Sequence, residues 1–195
     1  MNYSDATRRT YDKVADLWKV YRNKPFKEVV DFMSNVKNSY VLDLGCGTGR
    51  NLKAINKTNF IVEADYSLGM LKLNPHPVKV LCDARKLPFA ERSFDVVLAV
   101  SVLHHLPIND VKRAISEIKR VLKNKGRALL TFWKKEGVEE GKPVNVPWKK
   151  EGVSYDRYYY FYSKETIKTI IQDILRIDKI YIDEKDMNYI VEVRK

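Results

Sequence analysis

The chain has 195 residues, enough for one domain with a single sizeable core, and it contains neither a leader-like N-terminus nor an apolar run of about 18 residues, so it reads as a soluble, cytoplasmic protein with no membrane segment. Its 36 basic residues against 25 acidic ones leave a formal charge of +11, a field that favours polyanionic partners, although a generally lysine-rich surface of the thermophile kind would give the same excess. Two cysteines, Cys46 and Cys82, are too few for a zinc site of their own, so both are expected as reduced thiols and no metal is expected.

Residues 5–21 carry Tyr11, Val14, Ala15, Trp18 and Tyr21 at helical spacing. Pro25 starts a second helix, where its missing N–H costs nothing, with Phe26, Val29, Val30, Met33 and Val36 facing the core. An apolar strand then ends in Val41-Leu42-Asp43-Leu44 and runs into Gly45-Cys46-Gly47-Thr48-Gly49. A strand, a glycine turn and the start of a following helix present unpaired backbone N–H groups to a ligand. The spacing is G-x-G-x-G, not the G-x-G-x-x-G that closes around a pyrophosphate. Asp43, just before the turn, is poorly suited to a phosphate and well suited to a cationic or amine-bearing ligand.

The next two apolar runs, Phe60–Asp65 and Val78–Asp83, also end in acids. In a doubly wound sheet an acid at the tip of the second strand meets ribose hydroxyls. One at the tip of the third is placed to accept from an adenine amino group. Each acid also fits as the cap of a helix that follows its strand. Ser93–Val100 is a fourth strand, and Leu122–Leu130 leads through a turn at Gly126 into a fifth. Between them Asn109 or Asp110 caps a helix with Val111, Ala114, Ile115, Ile118 and Leu122 on one face. Residues 134–155, rich in Gly, Pro and charge, read as a long loop of the lid or binding type. Ser163 caps a last helix carrying Ile167, Ile170, Ile171, Ile174 and Leu175, and alternating strands follow near 177–183 and 188–194. No repeats are visible. Strand and helix alternate, as in a parallel sheet covered on both faces.

The glycine turn, the acid-tipped strands and the two strands after them resemble a class I S-adenosylmethionine-dependent methyltransferase, over roughly residues 10–195. The resemblance implies an α/β, Rossmann-like, doubly wound sheet of seven strands in the order 3-2-1-4-5-7-6, strand 7 antiparallel, with helices on both faces. It implies a single domain over 1–195, in which 1–36 form N-terminal helices and 134–162 a substrate-side loop and aromatic segment. The implied cofactor is S-adenosylmethionine, whose sulfonium and α-amine suit Asp43. Its implied binding set is Tyr11, Asp43, Gly45, Cys46, Gly47, Gly49, Asn51, Asp65, Tyr66, Asp83, Ala84 and Val100.

Four further stretches carry a narrower resemblance. They are Tyr11–Ala15 with Tyr21–Phe26, then Val102-Leu103-His104-His105, then Ala128–Trp133, and finally Val146-Pro147-Trp148 with Arg157–Tyr162. Together they resemble the tRNA wobble-uridine carboxymethyl methyltransferases, a group that includes the yeast enzyme and the methyltransferase domain of the human AlkB-fused homologue. The implied partner is the anticodon stem-loop of a tRNA, and the implied reaction is methyl esterification of a carboxymethyl group on U34. A carboxylate is ionised at neutral pH, so the site needs a cation and aromatic walls rather than a base.

Arg22 and Arg157 are the expected carboxylate clamp. His104 is the expected hydrogen-bond donor beside the transfer point, and Trp133 and Tyr158 the expected walls of a flipped-out uracil. Arg22 fits equally as a helix cap and Arg157 as a phosphate contact, and several aromatics between 155 and 162 belong to the core. Eukaryotic members of the group have a longer insertion where this chain has 134–155, so the compact loop points to an archaeal or bacterial relative. Those members also use a small zinc-binding activator subunit; it is an open option here, any zinc belonging to the partner. Two other readings compete. One is a small-molecule methyltransferase acting on a quinone precursor or organic acid, drawn from Leu87-Pro88-Phe89 and Ser101–His105. The other is a non-catalytic S-adenosylmethionine-binding module, which the intact acids and glycines disfavour.

Overall fold

The structure is a computed structural model describing residues 3–195, so the first two positions of the expected N-terminal segment lie outside the described residues. In chain order the elements are α1 (Tyr3–Tyr21), α2 (Lys27–Met33), β1 (Tyr40–Leu44), β2 (Phe60–Asp65), α3 (Leu68–Leu73), β3 (Lys79–Leu81), β4 (Phe94–Ala99), α4 (Ile108–Val121), β5 (Leu122–Trp133), β6 (Pro143–Asn145), β7 (Trp148–Lys150), β8 (Val153–Tyr155), β9 (Tyr158–Tyr160), α5 (Lys164–Gln172), β10 (Arg176–Ile182) and β11 (Asn188–Arg194). Short 3₁₀ turns cover Arg50–Ala54 and Leu103–His105.

Seven strands form one sheet in the order β10-β11-β5-β4-β1-β2-β3. β1 to β5 run parallel, and β11 is antiparallel to both β5 and β10, as the expected order requires. The central strands are unbroken apolar runs because both faces are covered: Val41, Leu42, Leu44 and Val96 to Ala99 are all buried. On one face Val111, Ala114, Ile115, Ile118 and Val121 of α4 pack with Ile167, Ile170 and Ile171 of α5. On the other, Val29 and Met33 of α2 pack with Val41, Val96, Leu98, Leu129 and Ile190. α1 stands apart from both layers. Its Val14 and Ala15 bury against Met70 of α3 and Trp148 of β7, at the carboxyl ends of the strands.

Several local expectations are corrected. Pro107 rather than Asn109 or Asp110 is the N-cap of α4, and Leu122 leaves the helix to begin β5. Gly126 lies within β5 at an irregular step in the register, where a Cβ would sit 2.9 Å from the Lys123 carbonyl oxygen; close backbone approach requires the glycine there. In α2 Val30 faces outward, 42% exposed. The glycine turn enters a 3₁₀ turn rather than a regular helix. The expected lid loop is two small ribbons, β6 with β9 and β7 with β8. Glu151 and Gly152, at φ 51° and 77°, turn the second ribbon in the left-handed conformation that suits a two-residue hairpin.

Gly45 and Gly137 have nearly the same left-handed φ, +72° and +70°, but different surroundings. A Cβ at Gly45 would lie 2.0 Å from Val102 Cγ2, whereas at Gly137 it would meet nothing within 4 Å. Gly137→Ala is therefore expected to lose about 1–2 kcal/mol from backbone strain alone, and Gly45→Ala about 3 kcal/mol or more once overpacking is added. Urea unfolding of the two variants checks this; equal losses contradict it.

Candidate active site

A cleft of about 260 Å³ opens where the glycine turn, β2, β4 and β5 end. This is where open α/β sheets hold ligands. The backbone N–H groups of Gly45 and Cys46 both donate to the Ala64 carbonyl, at 2.7 and 3.1 Å, and pin the turn to β2. Asp65 continues the link: Oδ2 accepts from the Gly47 N–H and Oδ1 from the Ser67 N–H, each at 2.8 Å. These bonds do not exhaust the acceptor capacity of the carboxylate, which is left for a ligand hydroxyl. Burial raises the Asp65 pKa, and these backbone donors counter the rise.

Beneath the turn sits a buried polar layer. Asp43 and Glu63 are register partners, both fully buried. Asp43 Oδ1 accepts from Asn51 at 3.5 Å and Oδ2 has no partner; Glu63 Oε2 accepts from Asn74 at 2.7 Å and Oε1 has none. Burial, then the Glu63 charge, pushes the Asp43 carboxyl well above the usual range. Asn74 also reaches the Gly47 carbonyl at 3.5 Å, and its Oδ1 would lie 2.8 Å from a Cβ on Gly49. Asp43, Gly49 and Asn51 thus support the turn from below and do not line the cleft.

Tyr11, Gly45, Cys46, Gly47, Asp65, Tyr66, Asp83, Ala84 and Val100 do line it. Tyr66 donates its hydroxyl to Asp5 at 2.8 Å. Asp83 keeps its place at the rim, but the backbone N–H and guanidinium of Arg85 occupy both of its oxygens, so the spare acceptor expected for an adenine amine is already engaged. Cys46 and Cys82 are free thiols. Burial, then the Asp65 and Asp83 charges, pushes Cys82 up to about 12, too high for a nucleophile.

The opposite wall carries the cations. Arg157 is 7% exposed, its Nε has no partner, and its guanidinium stands 5.3 Å from the Tyr159 ring and 5.9 Å from Trp18. Arg22 covers the same Trp18 at 5.6 Å, and Arg50 covers Phe26 at 4.3 Å. Burial brings Arg50 down to about 10, with Asp43 opposing the fall. Among the described residues none of these three arginines makes an ion pair.

His104 is buried in the same wall and accepts from the Trp133 N–H through Nδ1 at 3.1 Å, an arrangement that leaves the ring proton on Nε2. Burial, then His105 and Arg157, pushes His104 well below its usual pKa. His105 donates from Nδ1 to the Tyr158 carbonyl at 2.9 Å, and the Tyr11 hydroxyl donates to its Nε2 at 3.2 Å. Trp133 packs edge-on to Tyr159 at 4.7 Å. Tyr158 is not in the cleft: its ring rests on Tyr3 at 4.8 Å, and Tyr159 takes the wall position. Successive side chains of β9 point to opposite faces, so a one-residue error exchanges the two. The cleft residues missed from sequence include Trp18, Arg50, His105 and Tyr159. Three successive tyrosines in β9 offered no signal for Tyr159, whereas Arg50 directly follows the glycine turn.

Residues 42–130 match the family model described as a methyltransferase domain. The chain is similar to the tRNA (carboxymethyluridine(34)-5-O)-methyltransferase of Arabidopsis thaliana, 33% identical over 132 residues, 66% of this chain and 32% of that protein. The chain spans between a fifth and a third of the length of relatives with that name. Among solved structures, a methyltransferase of Methanosarcina mazei described as S-adenosylmethionine-dependent superposes with a TM-score of 0.72 at 16% identity, covering 88% of this chain and 98% of that one. The chain that the Haloferax volcanii Trm112 methyltransferase activator accompanies in a complex superposes with a TM-score of 0.74 at 16% identity, covering 96% of each. The fold is that of the S-adenosylmethionine-dependent methyltransferases, and the domain implies that cofactor. The residues present fit it. Gly47, at φ +56°, would bring a Cβ no nearer than 3.8 Å to any neighbour, so its backbone faces open cleft; Asp65 has spare acceptors, and Arg50 is an unpaired cation beside the turn.

The two histidines make acid stability testable. Burial lowers His105 to about 4 in the folded state, against about 6.5 when unfolded. The unfolded chain therefore binds more protons between those values, and protonation there favours unfolding. His105→Gln is expected to lose less thermal stability than the native chain as the pH falls from 6.5 to 4. Melting curves at stepped pH check it; parallel declines contradict it.

Proposed function

We propose that this chain, a methyltransferase domain by family match and fold, esterifies the carboxylate of a carboxymethyluridine at the wobble position of tRNA, with S-adenosylmethionine as methyl donor. The observation that carries the reading is Arg157. A buried guanidinium without a carboxylate costs several kcal/mol, and stacking on Trp18 and Tyr159 returns only about 0.5–2 kcal/mol each. A bound anion closes that gap. Arg22, over the same Trp18 ring, supplies the second cation of a clamp.

The cofactor, when bound, supplies an electrophilic methyl group on a sulfonium. The chain's own residues do the rest. Asp65 accepts from ribose hydroxyls, the glycine turn leaves room for the ligand backbone, and Arg50 holds the terminal carboxylate of the cofactor's amino-acid end. Arg157 and Arg22 would hold the acceptor carboxylate, which is already ionised and needs no base. His104 donates from Nε2 and stays neutral, Tyr11 and His105 fix each other, and Trp133 with Tyr159 walls the base and excludes water.

A small activator subunit of the kind that accompanies the Haloferax volcanii chain belongs to this reading, and we assign it to the open edge at β3. β3 is an edge strand beside the cleft, and its Leu81, with Val78 just before it, is about half exposed.

Asp65→Ala is expected to weaken S-adenosylhomocysteine binding at least tenfold by calorimetry, since two hydroxyl hydrogen bonds to a charged group are lost; unchanged affinity removes the ribose assignment. Arg157→Ala, and separately Arg22→Ala, is expected to cut turnover on carboxymethyluridine tRNA by roughly 100-fold or more, with cofactor affinity within about threefold of native. Mass spectrometry of tRNA nucleosides after incubation with labelled cofactor, with and without an activator subunit, measures it. Label in a small metabolite and none in wobble uridine transfers the assignment to a small-molecule acceptor.

A further inference from the structure

Five cations from three separate segments gather around the C-terminal end of α1. Arg22 and Arg157 both stand over Trp18, and Arg50 lies over Phe26. Lys53, in the 3₁₀ turn after the glycines, donates to the Asn23 carbonyl at 3.1 Å. Lys150 of β7 stands 4.1 Å from the ring of Tyr21. Among the described residues none of the five is in an ion pair, while other cations of the chain are well served: Arg85 holds Asp83 and Asp110, Arg120 holds Glu117, and Lys123 holds Asp95. The negative end of a helix attracts cations, but its partial charge is about half an elementary charge, far short of five.

The β7–β8 ribbon is held firmly at this place. Trp148 is buried against Trp18 at 5.4 Å and Tyr155 at 6.2 Å, so Lys149 and Lys150 project from a braced hairpin. Tyr21, 47% exposed, offers a ring among these cations. A row of unpaired cations with an exposed aromatic between them has the make-up of a single-stranded nucleic-acid track.

We propose that this rim carries the RNA backbone, with Lys53 and Lys150 holding phosphates that flank the nucleotide entering the cleft. The inference rests on the RNA reading above and adds where the strand runs. The three inner arginines serve the cleft, and the two lysines lie outside the cleft lining.

The test is the combined variant Lys53→Ala with Lys150→Ala, assayed on an anticodon stem-loop carrying carboxymethyluridine across a salt series. Two lost single-strand phosphate contacts are expected to lower the slope of log affinity against log salt by about 1.4, at about 0.7 per contact. The KM for the stem-loop is expected to rise about tenfold, with kcat and S-adenosylhomocysteine affinity unchanged. The matched control, Lys164→Ala with Lys168→Ala on α5, is expected to leave the slope as it was. A native slope and KM in the first variant, or an equal fall in the control, overturns the track. If the native protein neither binds nor methylates the stem-loop, the RNA reading itself fails and the track falls with it.

Discussion

The cleft depends on one carboxylate that is not part of the sheet. Asp12 of α1 accepts from the Ser67 hydroxyl at 2.7 Å and from the Gly69 N–H at 2.9 Å, fastening α1 to the loop at the tip of β2. Gly69 makes the approach possible, because a Cβ there would lie 2.7 Å from the Asp12 carbonyl oxygen. Through this joint α1 delivers Tyr11, Trp18 and Arg22 to the open side of the sheet. The glycine turn hangs from the same strand end through Ala64 and Asp65. The glycine turn and α1 are thus both fastened to the stretch from Ala64 to Gly69, the end of β2 and the start of α3.

Charge is layered across that joint. Two acids with unpaired oxygens lie under the turn, and three unpaired arginines lie above it. Asp43 and Arg50 feel each other's field, yet no ion pair closes between them. A molecule with a positive centre near the turn and negative groups further out would bridge the layers. Asn51 and Asn74 keep the acids supplied with hydrogen bonds meanwhile, which limits the cost of the open arrangement.

The sheet was legible because its strands are fully buried and therefore continuously apolar, and because acids punctuate their ends. Asp65 was legible for the same reason. Asp83 lies at the cleft as expected, but its pairing with Arg85 was not legible, because sequence spacing alone does not distinguish a free acid from a paired one. The three strands within 134–155 were hidden by their shortness: three residues carry too little alternation to read. Tyr158 and Tyr159 were exchanged because three successive tyrosines give no polarity contrast to fix the parity of β9. Trp18 was read only as part of a helical stripe; its ring packs edge-on to Trp148 and also meets two guanidiniums.

The titration behaviour of the acceptor wall narrows the chemistry further. Methyl transfer to an amine or a hydroxyl releases a proton, and efficient uptake needs a base with a pKa near the working pH. His105 titrates at about 4 and His104 well below its usual value, while burial lifts Tyr159 far above its own. At neutral pH the first two are weak bases and the last is a very weak acid. Fixed cations of the arginine type cannot accept a proton either. A wall of this kind is better suited to holding and orienting an acceptor that arrives already charged than to deprotonating one. A carboxylate meets that condition, and it also satisfies the guanidinium that the fold leaves buried without a partner.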